Sequence, residues 1–211
     1  MIGPSGAGKT TYVKNMSDSP GVYTERLDTF TRSLPGGSLL QNMPLNRPFV
    51  RRMFSYVRPR YERKFISRFP GLLETTAPII RNYEDKASVL NFILREAAWF
   101  EFFSEHLTSD ETYVIDDGLY QFHLRLLPID GWTAENIIDR LPEPDKFIFV
   151  DAPGEVCLER QESRSRGRAS KLEGLSPAEA INELETMRSD SEKFITEARN
   201  RGIEVEIVDS T

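Results

Sequence analysis

The sequence predicts an α/β fold in which a parallel sheet is covered by helices on both faces. Three observations carry that prediction. Strand-like and helix-like stretches alternate along 211 residues, with no internal repeat and no low-complexity linker. Two short apolar runs rich in β-formers, 112–116 (Thr-Tyr-Val-Ile-Asp) and 146–151 (Lys-Phe-Ile-Phe-Val-Asp), each end in an acid and suit strands buried on both faces. A glycine-rich segment at 3–10 stands directly before a helix-forming stretch. The length fits one domain, 1–211, better than two.

The elements follow in order. Residues 9–16 read as a helix and 21–24 as a short strand. Residues 29–48 hold three prolines and the Gly36-Gly37 pair and read as mostly irregular. From 84 to 107 the apolar residues Leu90, Ile93, Ala97, Phe100, Phe103 and Leu107 recur at helical spacing, while Phe92, Trp99 and Phe102 widen the face toward a helix buried on more than one side. Ser176, Pro177 and Glu179 form an N-cap, first-turn proline and capping-box glutamate for a helix running to about Asn200, where Gly202 stops it. Residues 203–208 alternate, which predicts a strand near an edge with Glu204 and Glu206 facing water.

Composition removes several classes of function. The 27 Lys and Arg against 33 Asp and Glu give a net charge of −6, unlike a dedicated nucleic-acid binder. No apolar run is long enough for a bilayer, and no basic segment followed by an apolar stretch reads as a secretory signal. The single cysteine, Cys157, permits neither an internal disulfide nor a cysteine metal site, so a reducing, cytoplasmic setting is expected.

Residues 3–10, Gly-Pro-Ser-Gly-Ala-Gly-Lys-Thr, match G-x-x-x-x-G-K-[ST] in full. Chance gives such a match in about 1% of chains this long. Gly3, Gly6 and Gly8, with Ser5 and Ala7, let backbone N–H groups curl around phosphate oxygens, and the helix beginning at Lys9, Thr10 and Thr11 points its positive end at the same anion. Lys9 would reach the β- and γ-phosphates of ATP, and Thr10 would ligate Mg²⁺. Asp116 closes a strand and is the candidate carboxylate near the metal, with Asp117 beside it; adjacent acids after a strand also serve as helix caps. Asp151 is assigned a structural role, because Ala152-Pro153-Gly154 begins a helix after it.

The Asn-Lys-x-Asp motif that reads guanine and the Leu-Ser-Gly-Gly-Gln motif of transporter ATPases are both missing from the sequence. Arg160, Arg164, Arg166 and Arg168 crowd one helix end and the loop after it, and mobile guanidiniums suit the charge spread over a transferring phosphoryl group. The alternative is a solvated helix end, toward which Glu159 and Glu162 point.

In this order of parts the chain resembles the P-loop small-molecule kinases, in particular the thymidylate-kinase and deoxynucleoside-kinase-like group. The resemblance runs from the loop at 3–10 through Thr24-Glu25-Arg26, the long helix at 84–107, the Asp116-Asp117-Gly118 corner and the arginines at 160–168 to the final strand. It implies a three-layer α/β/α P-loop NTPase fold, a helical acceptor-side segment at about 44–108 and an arginine-rich lid at about 160–174. It also implies that the lid arginines hold the donor phosphates and that Glu25, with Asp28 second and Asp117 a third candidate, activates the acceptor. The chain departs from the family pattern where Arg26 follows Glu25 and Gly118-Leu119-Tyr120 follows Asp117. Those departures leave room for a kinase of a sugar, an antibiotic or a cell-surface precursor. A nucleotide-dependent switch or partner-binding ATPase is the reading from another class.

Between Arg47 and Arg68 lie eight basic residues (Arg47, Arg51, Arg52, Arg58, Arg60, Arg63, Lys64 and Arg68) against the single acid Glu62. They read either as recognition of an anionic acceptor or as helix faces balanced by acids elsewhere. His106 reads as a helix-end residue, and His123 and Cys157 as packing. The expected partners are a nucleotide and a small-molecule acceptor, with neither nucleic acid nor a membrane span, and a homodimer is possible within this reading. A sheet strand feeding such a loop takes about five residues, so part of that strand is expected upstream of Met1.

Overall fold

A computed structural model describes residues 1–33, 47–116, 118–164 and 167–210, with the side chains of Asp28, Ser33, Arg47 and Ser170 left aside. In chain order the elements are α1 (Lys9–Met16), β1 (Val22–Tyr23), α2 (Arg26–Ser33), α3 (Arg47–Arg68), α4 (Gly71–Arg81), α5 (Lys86–His106), β2 (Thr112–Tyr113), α6 (Leu119–His123), α7 (Ala134–Ile138), β3 (Lys146–Asp151), α8 (Gly154–Glu162), α9 (Pro177–Asn200) and β4 (Glu204–Asp209). They divide into two compact units, Met1–Tyr12 with Asp116–Thr211, and Val13–Ile115.

In the first unit β3 and β4 pair in parallel, from Lys146 opposite Glu204 to Asp151 opposite Asp209. Ile2 extends this ladder beside Phe149: its N–H donates to the Ile148 carbonyl at 2.9 Å and its carbonyl accepts from the Val150 N–H at 3.1 Å. Phe147, Ile148, Phe149 and Val150 are all buried, as their continuous apolar run predicts. Helix α9 covers the strands and packs on α8. Its start is the expected capping box between Ser176 and Glu179, and Gly202 past its end sits at φ 82°. Asp151 receives two hydrogen bonds from Arg188 of α9, at 2.5 and 2.8 Å, which matches its structural assignment. Helix α8 has no side-chain cap of its own; Glu185 of α9 accepts the Gly154 N–H at 2.5 Å instead.

Residues 203–208 need one correction. Glu206 does not simply face water: it accepts from the Tyr12 hydroxyl at 2.6 Å and pairs with Lys146 at 2.7 Å, while Ile207 is 48% exposed. Two close polar partners outweigh the preference of an apolar side chain for the interior.

In the second unit β1 and β2 pair in parallel through Val22 with Thr112 and Tyr23 with Tyr113. This strand pairing is shorter than the predicted 21–24 and 112–116. Residues 29–33, expected to be irregular, are helical in α2, and Arg47 and Pro48 begin α3; residues 34–46 of that expected loop lie outside the described residues. Phe30 explains the helix: it is buried against Phe54, Trp99 and Phe102 at ring distances of 5.4, 6.0 and 5.1 Å, and Pro48 is tolerated in a first turn. Helix α5 is buried on more than one side through Ile93, Ala97, Ala98, Trp99, Phe102 and Phe103, whereas Leu90 on the predicted stripe is 36% exposed.

The same helix buries two acids. Arg26 donates to both oxygens of Glu96, at 2.5 and 2.6 Å. Arg68 donates to both oxygens of Glu101 at 2.9 Å, and Lys64 pairs with Glu101 at 3.3 Å and also with Glu105. Arg58 bonds Glu62 and Asn91. Arg58, Lys64 and Arg68 of the 47–68 block are thus tied to polar side chains inside this unit, and Arg63 donates to the Pro59 carbonyl at 3.2 Å; Arg51, Arg52, Arg60 and Arg63 are exposed. Among the described residues no helix is long and apolar enough to cross a membrane.

Candidate nucleotide site

The loop at 3–10 is shaped by groups from the last half of the chain. Gly3 sits at φ 142° and a Cβ on it would fall 2.4 Å from the Val150 carbonyl oxygen; Gly6 sits at φ 97° with the Cys157 carbonyl oxygen at the same 2.4 Å. Both positions exclude any side chain, on conformation and on space. The Gly3 N–H donates to Gln121 Oε1 at 3.1 Å, which holds the start of the loop against α6. Lys9 Nζ donates to the carbonyls of Gly3 and Pro4 at 2.9 and 3.0 Å, so the ammonium is held across the mouth of the loop. Thr10 lies at the head of α1, and its hydroxyl donates to Asp116 Oδ2 at 3.3 Å. The predicted metal pair is therefore brought together from positions 106 residues apart.

Helix α8 forms the floor. Cys157 meets Gly6, Arg160 donates Nη1 to the Ala7 carbonyl at 3.4 Å and to Ser210 Oγ at 3.0 Å, and Gln161 donates Nε2 to the Ser5 carbonyl at 2.7 Å. These residues stand at i, i+3 and i+4, one helix face. Burial pushes the Cys157 thiol up to about 11, so this face is packing rather than a nucleophile.

A family model described as an AAA domain matches residues 1–185. The chain belongs to that family. It is thereby a nucleotide-binding P-loop NTPase domain, in a family that includes kinases. No curated protein and no solved structure matches the chain.

The AAA domain assignment implies a nucleotide and usually Mg²⁺, and the residues present fit both. Gly8, at φ 99°, leaves the space that a Cβ would fill 3.1 Å from Ser210 Oγ. A hydroxyl and a carboxylate side by side, Thr10 and Asp116, are hard oxygen donors of the kind Mg²⁺ takes, and such an ion draws its other ligands from phosphates and water. Among the described residues no group of three or more His, Cys, Asp or Glu is assembled for a metal held by protein alone.

The remaining predicted residues are distributed differently. Ser5 and Ala7 lie in the loop, Ala7 buried and Thr11 exposed just after it. Arg164 follows α8 with its carbonyl accepting the Gly167 N–H at 3.0 Å. Arg168 is engaged by Glu162, at 3.2 and 2.5 Å, and by the Leu175 carbonyl at 2.7 Å. Glu25 belongs to the second unit, beside α2, and its carbonyl accepts from the Thr29 hydroxyl at 2.9 Å. The side chain of Asp28, and Asp117 and Arg166 altogether, lie outside the described residues.

Three contributors are not in the predicted set. Gln121 and Ser210 reach the loop only through tertiary packing, with no local signal. Gln161 had one: it is a polar residue four positions after Cys157 on the apolar face of α8, within a run read for its charges alone.

Proposed function

We propose that this AAA domain is an ATP-dependent phosphotransferase that passes the γ-phosphoryl group of ATP·Mg²⁺ to a small-molecule acceptor, in the manner of nucleoside and nucleotide kinases. The observation that carries the reading is the constellation at the loop: Lys9 held across its mouth, Thr10 bonded to Asp116, and a helix bearing Arg160 fixed beneath it. In the reaction an acceptor oxygen bonds to the γ-phosphorus, the bond to the β,γ-bridging oxygen breaks, and ADP leaves. Backbone N–H groups of 5–8 orient the phosphates, and Lys9 moves from the Gly3 and Pro4 carbonyls to the phosphate oxygens as charge develops there. Thr10 and Asp116 would hold Mg²⁺, which would offset the negative charge that builds up on the phosphates. Arg164 and Arg166 supply the cations of this scheme, within a lid at about 160–174 closing over a three-layer fold. Arg160 and Arg168 hold that segment in place. Glu25 serves as general base, with Asp28 and Asp117 the other candidates.

The acceptor class stays open on a specific observation. Arg26, which replaces the proline of the nucleoside-kinase pattern, is locked onto Glu96 and is not available for an acceptor phosphate. A sugar, antibiotic or cell-surface precursor as acceptor is the second reading. The test is ADP release measured with panels of nucleosides, nucleotides, sugars and aminoglycosides. Acceptor-stimulated ADP release that Lys9→Ala abolishes supports the proposal; rapid hydrolysis indifferent to every acceptor favours a nucleotide switch, and full turnover in Lys9→Ala removes the loop from the mechanism.

A further inference from the structure

Gln161 joins the phosphate loop to the segment that carries the arginines. Its side chain is 1% exposed, its Nε2 donates to the Ser5 carbonyl at 2.7 Å, and its Oε1 accepts the Ala169 N–H at 2.8 Å. Each end of the carboxamide thus meets the only kind of partner it can use, a carbonyl for the NH₂ and an N–H for the oxygen. The Ser163 N–H, just after α8, donates to the Glu159 carbonyl at 3.0 Å, and Ala169 is bonded back to the same helix through Gln161.

The peptide unit matters as much as the residue. The Ser5 carbonyl belongs to the same amide plane as the Gly6 N–H, one of the donors available to a bound phosphate. A phosphate oxygen accepting from Gly6 polarises that amide and strengthens the bond its carbonyl accepts from Gln161, and the Gln161 carboxamide in turn becomes a better acceptor for Ala169. We propose that Gln161 is a positioning residue that transmits phosphate occupancy of the loop at 3–10 to Ala169 and, through it, to the neighbouring Arg168. It touches neither substrate nor reacting atoms and acts through the two backbones it bonds. The proposal rests on the nucleotide reading of the loop, and the experiment separates the two.

Backbone hydrogen exchange of the full chain is followed over 3–10 and 167–169, with and without a nonhydrolysable ATP analogue and Mg²⁺, for the wild type, Gln161→Leu and Gln161→Glu. In the wild type both segments slow at least tenfold on adding the analogue. Gln161→Leu removes both bonds at similar volume: 3–10 still slows and 167–169 no longer responds. Gln161→Glu keeps an acceptor for Ala169 and sets a carboxylate against the Ser5 carbonyl, so 167–169 is slow from the start and gains nothing with the analogue; this variant carries the test if Gln161→Leu does not fold. Equal protection of 167–169 in wild type and variants overturns the coupling, as does a wild type in which 3–10 slows alone. A wild type in which neither segment responds overturns the nucleotide reading, and the coupling with it.

Discussion

Replacing Arg26 with methionine strips Glu96 of its partner and leaves a carboxylate whose side chain is 2% exposed. Breaking a buried ion pair from one side costs about 3–5 kcal/mol, because the remaining charge is neither hydrated nor compensated. Arg95 Nε, 3.7 Å from Glu96, is a partly exposed second cation and lowers the cost somewhat. The expected loss at pH 7 is therefore about 3 kcal/mol, the low end of that range. Urea unfolding of wild type and Arg26→Met measures it. A loss under about 1 kcal/mol refutes the buried pair as described. Glu96→Leu should cost less than Arg26→Met, since Arg26 is a quarter exposed and can reach water.

Three further expectations come from the first unit. Gly6→Ala forces an alanine to φ 97° and a Cβ 2.4 Å from the Cys157 carbonyl oxygen; thermal melts should show a destabilised protein with no stabilisation by an ATP analogue, and a normal analogue-induced shift would count against the loop geometry. Cys157, buried and with its thiol pushed up to about 11, should resist a thiol reagent at pH 8 in the folded protein and react fully in urea; labelling at equal rates in both states would contradict its burial. His123 is fully buried, its Nδ1 is 2.6 Å from the Leu119 carbonyl, and burial pushes its pKa down to about 4. Its folded pKa lies below the unfolded one, so this residue costs nothing above about pH 6.5 and lowers stability by roughly 3 kcal/mol as pH falls to 4. His123→Asn, which keeps a donor for Leu119, should flatten that part of the stability profile, and an unchanged acid slope would show that the proton goes elsewhere.

Much of the frame was legible because it was written in local chemistry. Lys9–Met16, Lys146–Asp151 and the capped helix from Pro177 to Asn200 follow from a motif, a continuous apolar run and a capping box, each contained within a few residues. What escaped depends on distant partners. Phe30 turns residues 29–33 into helix only because Phe54, Trp99 and Phe102 receive its ring. Glu206 leaves water for Tyr12 and Lys146, neither of which its alternating pattern announces. At the site the motif gave Lys9, Thr10 and the glycines, and strand-end logic gave Asp116. The arginines were read for charge alone, yet Arg160 and Arg168 are engaged by carbonyls, a hydroxyl and Glu162, and the uncharged Gln161 between them makes the closest tie to the loop.

The supports of the first ten residues have a consequence for biosynthesis. Asp116, Gln121, Ile148, Val150, Cys157, Arg160, Gln161 and Ser210 shape or fasten the loop, and every one of them is made more than a hundred residues after it. At roughly 5–20 residues per second, a ribosome leaves the glycine-rich loop without its floor for about 8–30 seconds. During that interval Gly3, Gly6 and Gly8 are free to wander, and nothing holds their N–H groups toward an anion. Nucleotide competence therefore waits for α8, and a chain halted short of that helix carries the complete motif without the means to use it.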